Sequence, residues 1–240
     1  MDSSTSTSHS PQRLAFITGG TSGIGLALAN GFSESGYEVI AAGVGEIPQS
    51  TDRIEFRSLD VTDEDAVRNA FASLSRLDVL INAAGVIRRE EELEPTVFES
   101  VIDINLNGTM RTCSAARRLL AKSSGCIINT ASMLSFFGGG LVPAYSASKG
   151  GVAQLTKSLA IAYATDNIRV NAIAPGWIKT TMTEALRADA QRNQAILDRT
   201  PLNRWGNPEE LVGPALFLAS PAASFITGTV LNVDGGYAAM

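Results

Sequence analysis

The chain has 240 residues, of which 45% are hydrophobic and 18% are charged, and its formal net charge is −5 at pH 7. This composition is typical of a soluble globular protein. The acidic balance argues against nucleic acid or an anionic membrane as the main partner, and we find no apolar run of about 18 residues that would span a bilayer. The single histidine, His9, lies in a polar tail over residues 1–10 that we expect to be disordered and that lacks the pattern of a secretory signal. Histidine-based triads and histidine-ligated metal sites are therefore not expected.

Short apolar runs alternate with helical patterns from near the start of the chain to its end. The predicted strands cover residues 14–17, 39–42, 54–59, 79–81, 127–129, 169–174 and 230–233. A helix is predicted over residues 24–35, and Thr62 with Asp65 has the spacing of a capping box at a second helix start. Apolar residues repeat at helical spacing over residues 152–162. Residues 43–53 are too few for a crossover helix and predict a loop.

The alternation of strands and helices predicts the fold class. Fully apolar strands indicate a parallel sheet with helices on both faces. Crossover handedness and an early glycine turn favour a Rossmann-type, doubly wound α/β fold. Since no internal repeat or linker interrupts the pattern, we expect one domain over residues 11–240. Cys113 and Cys126 are expected to be core residues, on a helix and at the start of a strand.

A glycine-rich turn, TGGTSGIG, follows the first predicted strand at residues 18–25. Gly19, Gly23 and Gly25 would let backbone amides approach a pyrophosphate, and the following helix would point its positive end at the same group. A glycine turn by itself is also compatible with a tight loop. Its place between a strand and a helix favours dinucleotide binding.

Tyr145 and Lys149 are four residues apart, which places both on one face of a helix. A free tyrosine has a pKa of about 10, so acid–base chemistry near neutral pH needs a cation beside it. Lys149 can supply that cation. A surface pair at helical spacing is the alternative interpretation.

Several motifs occur in a characteristic order. They are TGxxxGIG at 18–25, Asp60-Val61, NAAG at 82–85, Asn105, Ser132, YxxxK at 145–149 and Pro175-Gly176. In this order and spacing the chain resembles the short-chain dehydrogenase/reductase family over about residues 13–236. The resemblance implies an NAD(P)-dependent oxidoreductase that passes a hydride between the cofactor and a secondary alcohol or ketone.

The resemblance also implies roles for individual residues. Tyr145 would be the general acid/base, and Ser132 would hydrogen-bond the substrate oxygen. Lys149 would hold the nicotinamide ribose and lower the pKa of Tyr145, while Asn105 would order a water between Lys149 and solvent. Besides Tyr145 and Lys149, the implied cofactor contacts are Gly19, Thr21, Ser22, Gly23, Ile24, Gly25, Asp60, Val61, Asn82, Ala83, Ala84, Gly85, Pro175, Gly176, Ile178 and Thr180. For residues 82–85, a helix-capping turn is an alternative or additional role.

The type of nicotinamide cofactor depends on the end of the second strand. Family members that prefer NAD usually carry an acidic residue there, where this chain has Gly43. Members that prefer NADP usually carry a basic residue there or at position 22, which is Ser22. The nearest charges along the chain are Glu46, Asp52 and Arg53. Since no cation is placed for a 2′-phosphate, we expect NAD to be favoured, weakly, over NADP.

A closer resemblance concerns the substrate. Residues 86–90, 131–136, 186–189, 196–199 and 204–206 are similar to the 2-dehydro-3-deoxy-D-gluconate 5-dehydrogenase branch of the family. This implies a sugar acid or deoxy-keto sugar acid as substrate, with Arg88 and Arg204 as candidates for binding its carboxylate. Alternatively, Arg88, Arg89 and Arg204 pair with residues 90–92 or with a neighbouring subunit. Residues 180–207 are predicted to form a lid over the substrate.

Two other functions share part of this evidence. A reductase of 3-oxoacyl thioesters or other ketones would use NADPH and would carry the same core motifs. A regulator that binds the cofactor without catalysis is the alternative from another class. The resemblance further implies a homotetramer, with residues 235–240 near an interface. We expect a cytoplasmic enzyme with a small-molecule substrate and no bound metal.

Overall fold

A computed structural model of the protein describes residues 12–240, so the predicted tail with His9 lies outside the described residues. Seven strands form one sheet in the order β3-β2-β1-β4-β5-β6-β7, and each neighbouring pair is parallel. They are β1 (Leu14–Thr18), β2 (Glu38–Gly43), β3 (Ile54–Ser58), β4 (Val79–Asn82), β5 (Cys126–Thr130), β6 (Arg169–Pro175) and β7 (Val230–Val233). All seven predicted strands are confirmed to within one residue at either end.

Residues 12–240 contain eight α-helices. They are α1 (Gly23–Glu34), α2 (Glu64–Ala72), α3 (Pro95–Ile102), α4 (Gly108–Ser123), α5 (Pro143–Ala162), α6 (Glu184–Ala188), α7 (Ala190–Arg199) and α8 (Val212–Ala219). Of these, α1 and α8 pack on one face of the sheet and α2, α4 and α5 on the other. The pattern over residues 152–162 is the second half of α5, which begins at Pro143, a residue suited to the first helical position. The described helices include none that is long and apolar enough to cross a membrane.

The start of α2 differs from the prediction. The Asp63 carboxylate caps the helix by accepting a hydrogen bond of 2.9 Å from the amide of Ala66. Thr62 instead donates its hydroxyl to Asp60 at 2.8 Å. The predicted capping box of Thr62 and Asp65 is therefore wrong, because the neighbouring aspartate already satisfies the free amide of the first turn.

Two apolar clusters pack against opposite faces of the sheet. On one face Phe32 of α1 and Leu218 of α8 pack on alternate strand residues such as Ile17. On the other face Leu120 of α4 packs with Phe16 and the rest of the second cluster. The chain therefore has the predicted doubly wound sheet in one domain. Strand order reverses between β1 and β4, so a crevice opens at their carboxyl ends, where ligands of such sheets bind.

Candidate active site

The glycine turn after β1 forms one wall of this crevice. Gly19 and Gly23 have φ angles of +66° and +52°, which favour glycine. A side chain at Gly25 would collide with the carbonyl oxygen of Gly19. Helix α1 begins in the turn, and its first residues carry neither acidic side chains nor a side-chain cap from Ser22 within the described chain. Its first amides are thus left for an anion.

A cavity of about 310 Å³ extends from this turn along the carboxyl ends of the strands. Of the predicted cofactor residues, it is lined by Gly19, Thr21, Ser22, Gly23, Ile24, Gly25, Asp60, Val61, Ala83, Ala84, Gly85, Tyr145, Lys149 and Thr180. Gly43, where the sequence placed the choice of cofactor type, also lines it, and the structure adds Val44, Leu59, Val86, Ile104, Thr130, Thr181 and Met182. Thr130 is the last residue of β5, so its position at a strand end could have predicted that it lines the cavity. The sequence pattern does not predict that the added apolar residues line this cavity.

Asn82 lies behind this cavity and does not line it. Its side-chain amide donates to Asn129 at 2.9 Å and to the Cys113 sulfur at 3.2 Å, while its oxygen accepts from Thr112 at 2.7 Å. Asn129 donates in turn to Thr156 at 2.9 Å. The structure therefore places the Asn82 side chain in a buried polar network, and a direct contact of this residue with the cofactor stays a prediction.

A second cavity, of about 320 Å³, adjoins the first at Tyr145 and Thr180. It is also lined by Ser132 and by Pro175, Gly176 and Ile178, the remaining predicted cofactor residues. The structure thus brings Tyr145 of α5 to the junction of the two cavities, and Ser132, from the loop after β5, lines the second cavity beside it. This arrangement can hold a cofactor in one cavity and a small substrate in the other.

Lys149 lies one helical turn after Tyr145 and is buried. Its Nζ is 5.6 Å from the centroid of the Tyr145 ring and donates to the carbonyl oxygen of Thr130 at 2.6 Å. The loop after β5 is tied to the same turn of the helix, since Ser135 donates to the carbonyl oxygen of Lys149 at 2.7 Å and accepts from the amide of Ser132. These bonds fix Ser132 relative to the tyrosine–lysine pair.

Burial dominates the electrostatics of this pair. It raises the pKa of Tyr145 above its usual value, an effect that the Ser132 hydroxyl opposes and the Glu92 carboxylate reinforces. Burial also lowers the pKa of Lys149 to about 8. Lys149 is not among the causes of the Tyr145 shift, so its expected lowering of the Tyr145 pKa stays a prediction.

Asn105 lies in a single π-helical turn, Asp103–Asn107, between α3 and α4. Its side chain is fully buried, accepts from the amide of Val86 at 2.8 Å and donates to the carbonyl of Val86 and to Ser148. A side chain on Gly85 would approach Asn105 Oδ1 to 3.3 Å and Lys149 Nζ to 3.6 Å. Gly85 thus leaves open the space beside both side chains, and the water that Asn105 was expected to order there stays a prediction. π-Helical turns are frequent at functional sites.

The two arginines expected to bind the substrate carboxylate are not placed alike. Arg204 forms a two-pronged ion pair with Glu210 at 2.6 and 2.7 Å, beside a third cavity of about 480 Å³ that shares two lining residues with the second. It does not line the cavity that holds Tyr145, so the structure does not support its predicted substrate contact. Arg88 is exposed and likewise lines neither of the two adjoining cavities.

Two other arginines occupy the expected position. Arg89 and Arg192 line the second cavity together with Ser132 and Tyr145. Arg192 also faces Asp189 across 3.4 Å in an exposed pair. The sequence indicated for Arg89 only a pairing with residues 90–92 or with a neighbouring subunit, and Arg192 was not among the predicted substrate residues. Which arginine of a loop faces inward depends on the loop conformation, and the sequence pattern does not supply it.

Residues 180–207, the predicted lid, border the second cavity through Thr180, Leu186 and Arg192. Helix α7 consists of exposed and half-buried residues only. The segment is held by a hydrogen bond of 2.7 Å from the Trp205 indole to Asn193. Arg199 also stacks 4.3 Å from the ring centroid of Tyr237.

Charges near the end of β2 bear on the choice of cofactor. Asp52 and Arg53 lie with Glu38 and Leu14 at the amino ends of the strands, opposite the cofactor cavity. The charged residues that line this cavity are Asp60 and Lys149. Groups of three or more potential metal ligands are not found among residues 12–240.

Comparison with known proteins gives consistent matches over the whole described domain. The family model described as "Enoyl-(Acyl carrier protein) reductase" matches residues 19–238. The 2-dehydro-3-deoxy-D-gluconate 5-dehydrogenase of Pseudoalteromonas atlantica is 40% identical over 242 residues, covering 94% of this chain and 95% of that protein. The cis-4-hydroxycyclohexanecarboxylate dehydrogenase of Sinomonas cyclohexanicum is 40% identical over 246 residues, with 95% and 98% coverage.

A solved structure agrees with these sequence matches. The crystal structure of a putative 2-deoxy-D-gluconate 3-dehydrogenase from Agrobacterium tumefaciens, with bound NADP, has a TM-score of 0.86 and 42% sequence identity. The match covers 96% of this chain and 98% of that one. The comparison with this structure therefore includes nearly all of the residues that form the sheet and the two adjoining cavities.

Proposed function

Because the chain belongs to the short-chain dehydrogenase/reductase family, whose members are NAD(P)-dependent oxidoreductases, we propose that its substrate is a sugar acid or a deoxy-keto sugar acid. The observation that carries this proposal is the second cavity, in which Ser132 and Tyr145 share a wall with Arg89 and Arg192. A proton-transfer group and cations face one small volume. A carboxylate with a nearby secondary alcohol or ketone suits this arrangement.

The first cavity fits a nicotinamide dinucleotide. Larger side chains in place of Gly19 or Gly25 would collide with neighbouring backbone atoms in the turn over residues 19–25. The first amides of α1 face the same turn. Where the two cavities meet, the buried Thr130 hydroxyl finds no hydrogen-bond partner among the described residues. Residues 19–25 would hold the pyrophosphate, Asp60 and Val61 the adenine, residues 83–85 the adjacent ribose, and Pro175, Gly176, Ile178 and Thr180 the nicotinamide. The bound cofactor supplies the acceptor or donor of the hydride.

The residues of the chain handle the proton. In the oxidative direction the Tyr145 phenolate takes the proton of the substrate hydroxyl, and in reduction the phenol returns it. Ser132 hydrogen-bonds the same oxygen as its charge changes. Lys149 in its charged form stabilises the phenolate and holds the nicotinamide ribose. Asn105, anchored on Val86, would position a water through which Lys149 exchanges protons with solvent.

Recognition of the carboxylate is assigned to Arg89 and Arg192. This assignment replaces Arg204, whose guanidinium is already paired with Glu210. The relative from Sinomonas cyclohexanicum is named for a hydroxy acid on a carbocyclic ring, so its printed substrate shares the carboxylate and the secondary alcohol but lacks the sugar hydroxyls. The shared chemistry supports recognition by charge more than by hydroxyl pattern. Residues 180–207 would then act as the lid that brings Arg192 to the substrate.

A substrate panel tests the proposal. Wild-type enzyme is assayed by nicotinamide absorbance with D-gluconate, 2-dehydro-3-deoxy-D-gluconate, D-sorbitol and acetoacetyl-coenzyme A, each with both cofactors in the appropriate redox state. We expect the highest kcat/KM with one of the two acids. A higher value with D-sorbitol or the thioester contradicts the sugar-acid assignment. Cofactor binding without turnover of any compound would favour the non-catalytic regulator.

For the cofactor we propose a modest preference for NAD over NADP. At the adenosine end of the cavity the charged group is Asp60, which is acidic, and the guanidinium of Arg53 is at the opposite edge of the sheet. Gly43 is packed against Thr21, since a Cβ there would lie 2.5 Å from the Thr21 hydroxyl. The solved relative from Agrobacterium tumefaciens holds NADP, so kcat/KM for both cofactors is the measurement that decides.

We also propose that the enzyme is a cytoplasmic homotetramer. Large apolar side chains are exposed on α4, α5 and α8 and near the C-terminus, and subunit contacts would cover them. They include Met110, Ile161, Phe217, Phe225 and Met240. Cys113 and Cys126 are free thiols, as is usual in reducing compartments. Light scattering of the purified protein gives the number of subunits, and a monomer would contradict the assembly.

A further inference from the structure

We propose that Glu92 is a positioning residue for the proton-transfer step: its buried carboxylate holds the amide of Tyr145 and anchors the loop that carries Arg89. The proposal rests on the role of Tyr145 given above. Glu92 lies in a short 3₁₀ turn, Glu91–Leu93, outside the motifs that define the family resemblance.

The contacts of Glu92 are short and specific. Only 1% of the residue is exposed. One carboxylate oxygen accepts a hydrogen bond of 2.8 Å from the amide of Tyr145, and the other accepts one of 2.8 Å from the amide of Arg88. None of the ion pairs within residues 12–240 includes Glu92. The Glu92 carboxylate is therefore held by hydrogen bonds from two backbone amides.

The position of the Glu92 carboxylate at the amino end of α5 explains how its charge is stabilised. Within the described chain Val142 gives α5 no side-chain cap, so the first-turn amide of Tyr145 needs an acceptor from elsewhere. Glu92 supplies it from a distant segment. Its carboxylate lies at the positive end of a 20-residue helix, where a negative charge is stabilised. The same bond fixes the backbone that carries the catalytic phenol.

The loop is docked on the same helix end at a second point. The amide of Glu90, a residue with a left-handed φ of 71°, donates to the carbonyl of Leu141 at 2.8 Å. The amide of Glu92 closes the turn by donating to the carbonyl of Arg88 at 3.0 Å. Arg89 lies inside this closed turn and lines the substrate cavity. Glu92 therefore sets the spacing between the proton-transfer group and a substrate-binding cation.

The charge of Glu92 also acts on the tyrosine. The charged groups that face Tyr145 are Lys149 on its own helix, Glu92, and Arg89 and Arg192 across the cavity. After burial, the negative charge of Glu92 is a further cause that raises the pKa of Tyr145. Neutralising Glu92 should therefore lower the pKa of Tyr145. A purely structural role of Glu92 would not produce a shift in this direction.

Three variants test the proposal: Glu92→Ala, Glu92→Gln and the control Glu91→Gln, which neutralises an exposed neighbour. With the best substrate of the panel, we expect Glu92→Ala to lower kcat by about tenfold or more, because small displacements of reacting groups are costly. Glu92→Gln keeps one acceptor and should lose less. In both, the acidic limb of the pH profile for oxidation moves to lower pH, while the cofactor Kd stays within about twofold of wild type.

A second readout does not need a substrate. Tyrosine labelled with ¹³C at the ring carbon that bears the oxygen is titrated by NMR in wild type, Glu92→Gln and Glu91→Gln, and Tyr145→Phe assigns the signal. The Tyr145 signal should titrate at lower pH in Glu92→Gln alone. An unchanged titration together with unchanged kcat overturns the proposal, as does an equal shift in Glu91→Gln. If a neutral alcohol is the better substrate, the sugar-acid assignment fails and the Glu92 test proceeds on that alcohol. If Glu92→Ala does not fold, Glu92→Gln carries the test.

Discussion

The two cavities that meet at Tyr145 are built in different ways. The cofactor cavity is formed by strand ends and by a glycine turn in which the backbone itself is the binding surface. The substrate cavity is closed by side chains from separate segments, including Arg89 from the loop after β4 and Arg192 from α7. Helix α7 buries none of its residues fully within the described structure. The cofactor cavity therefore tolerates few substitutions, because its surface is backbone. The substrate cavity depends on side chains that the fold itself does not need.

This difference predicts that substitutions in the two cavities will have different effects. Changes in the glycine turn force backbone atoms to move, so they should reduce cofactor binding for every substrate. Changes in the arginines of the substrate cavity should leave the fold and cofactor binding intact and alter only substrate choice. Tyr145 belongs to both regions, because it lines both cavities, whereas Ser132 lines the substrate cavity beside it.

The largest effect is expected at the junction. Tyr145→Phe retains the ring but removes the proton-transfer group, so kcat should fall by roughly 10²–10⁴-fold with the cofactor Kd unchanged. Steady-state assays and cofactor titration measure both quantities. Tyr163→Phe, at the far end of the same helix, is the matched control and should keep its activity. Activity of Tyr145→Phe within twofold of wild type would remove the proposed mechanism.

A smaller, selective effect is expected in the substrate cavity. Arg89→Ala and Arg192→Ala, made separately, should each be assayed on the preferred acid and on its neutral analogue. At least one should lose about 10–100-fold in kcat/KM on the acid and little on the analogue, since a charged hydrogen bond contributes about 1.5–3 kcal/mol.

The controls for this comparison are the two arginines outside the cavity. Arg88→Ala and Arg204→Ala should change kcat/KM on the acid by less than about twofold, in line with the small contribution of exposed charges. A selective loss on the acid in Arg204→Ala, with none in Arg89→Ala or Arg192→Ala, would reverse the assignment made from the cavity lining.

Protein stability should report the burial of Lys149. Its pKa in the folded protein is about 8, below the usual value of 10.5, so the folded state binds fewer protons than the unfolded state between these pH values. Stability therefore rises with pH across this window. In cofactor-free protein, the free energy of unfolding of wild type relative to Lys149→Met should increase by about 2–3 kcal/mol from pH 8 to 10.5. Urea unfolding measures it, and a difference that falls with pH contradicts the assignment.

The smallest effect concerns cofactor choice. Wild type should prefer NAD by less than about tenfold, because neither an acid nor a base is placed at Gly43. Gly43→Asp alone should weaken both cofactors, since its Cβ meets the Thr21 hydroxyl at 2.5 Å. In a Thr21→Ala background the aspartate should shift the kcat/KM ratio toward NAD by about fivefold, as a like charge near the surface is worth about 1 kcal/mol. A hundredfold preference of wild type for NADP would show that the expectation is wrong.

The sequence predicts those features that depend on neighbouring residues in the chain. All seven strands and the glycine turn follow from local patterns, and 14 of the cofactor residues line the expected cavity. The orientation of the Asn82 side chain does not follow from the sequence, because a strand-end asparagine can turn toward the cavity or into the core, and three buried partners decide it. Arg192 and Glu92 were missed because tertiary packing brings their segments to Tyr145. The choice between Arg204 and Arg192 likewise depends on an ion pair with Glu210 that no spacing rule indicates.

A crystal structure of Tyr145→Phe with its cofactor and D-gluconate, or the preferred acid, tests the central claim most directly. We predict that the reacting hydroxyl lies within hydrogen-bond distance of Ser132 and beside the substituted aromatic ring, and that the carboxylate contacts Arg89 or Arg192. A carboxylate bound at Arg88 or Arg204, or a substrate held in the cavity beside Glu210, would contradict the account.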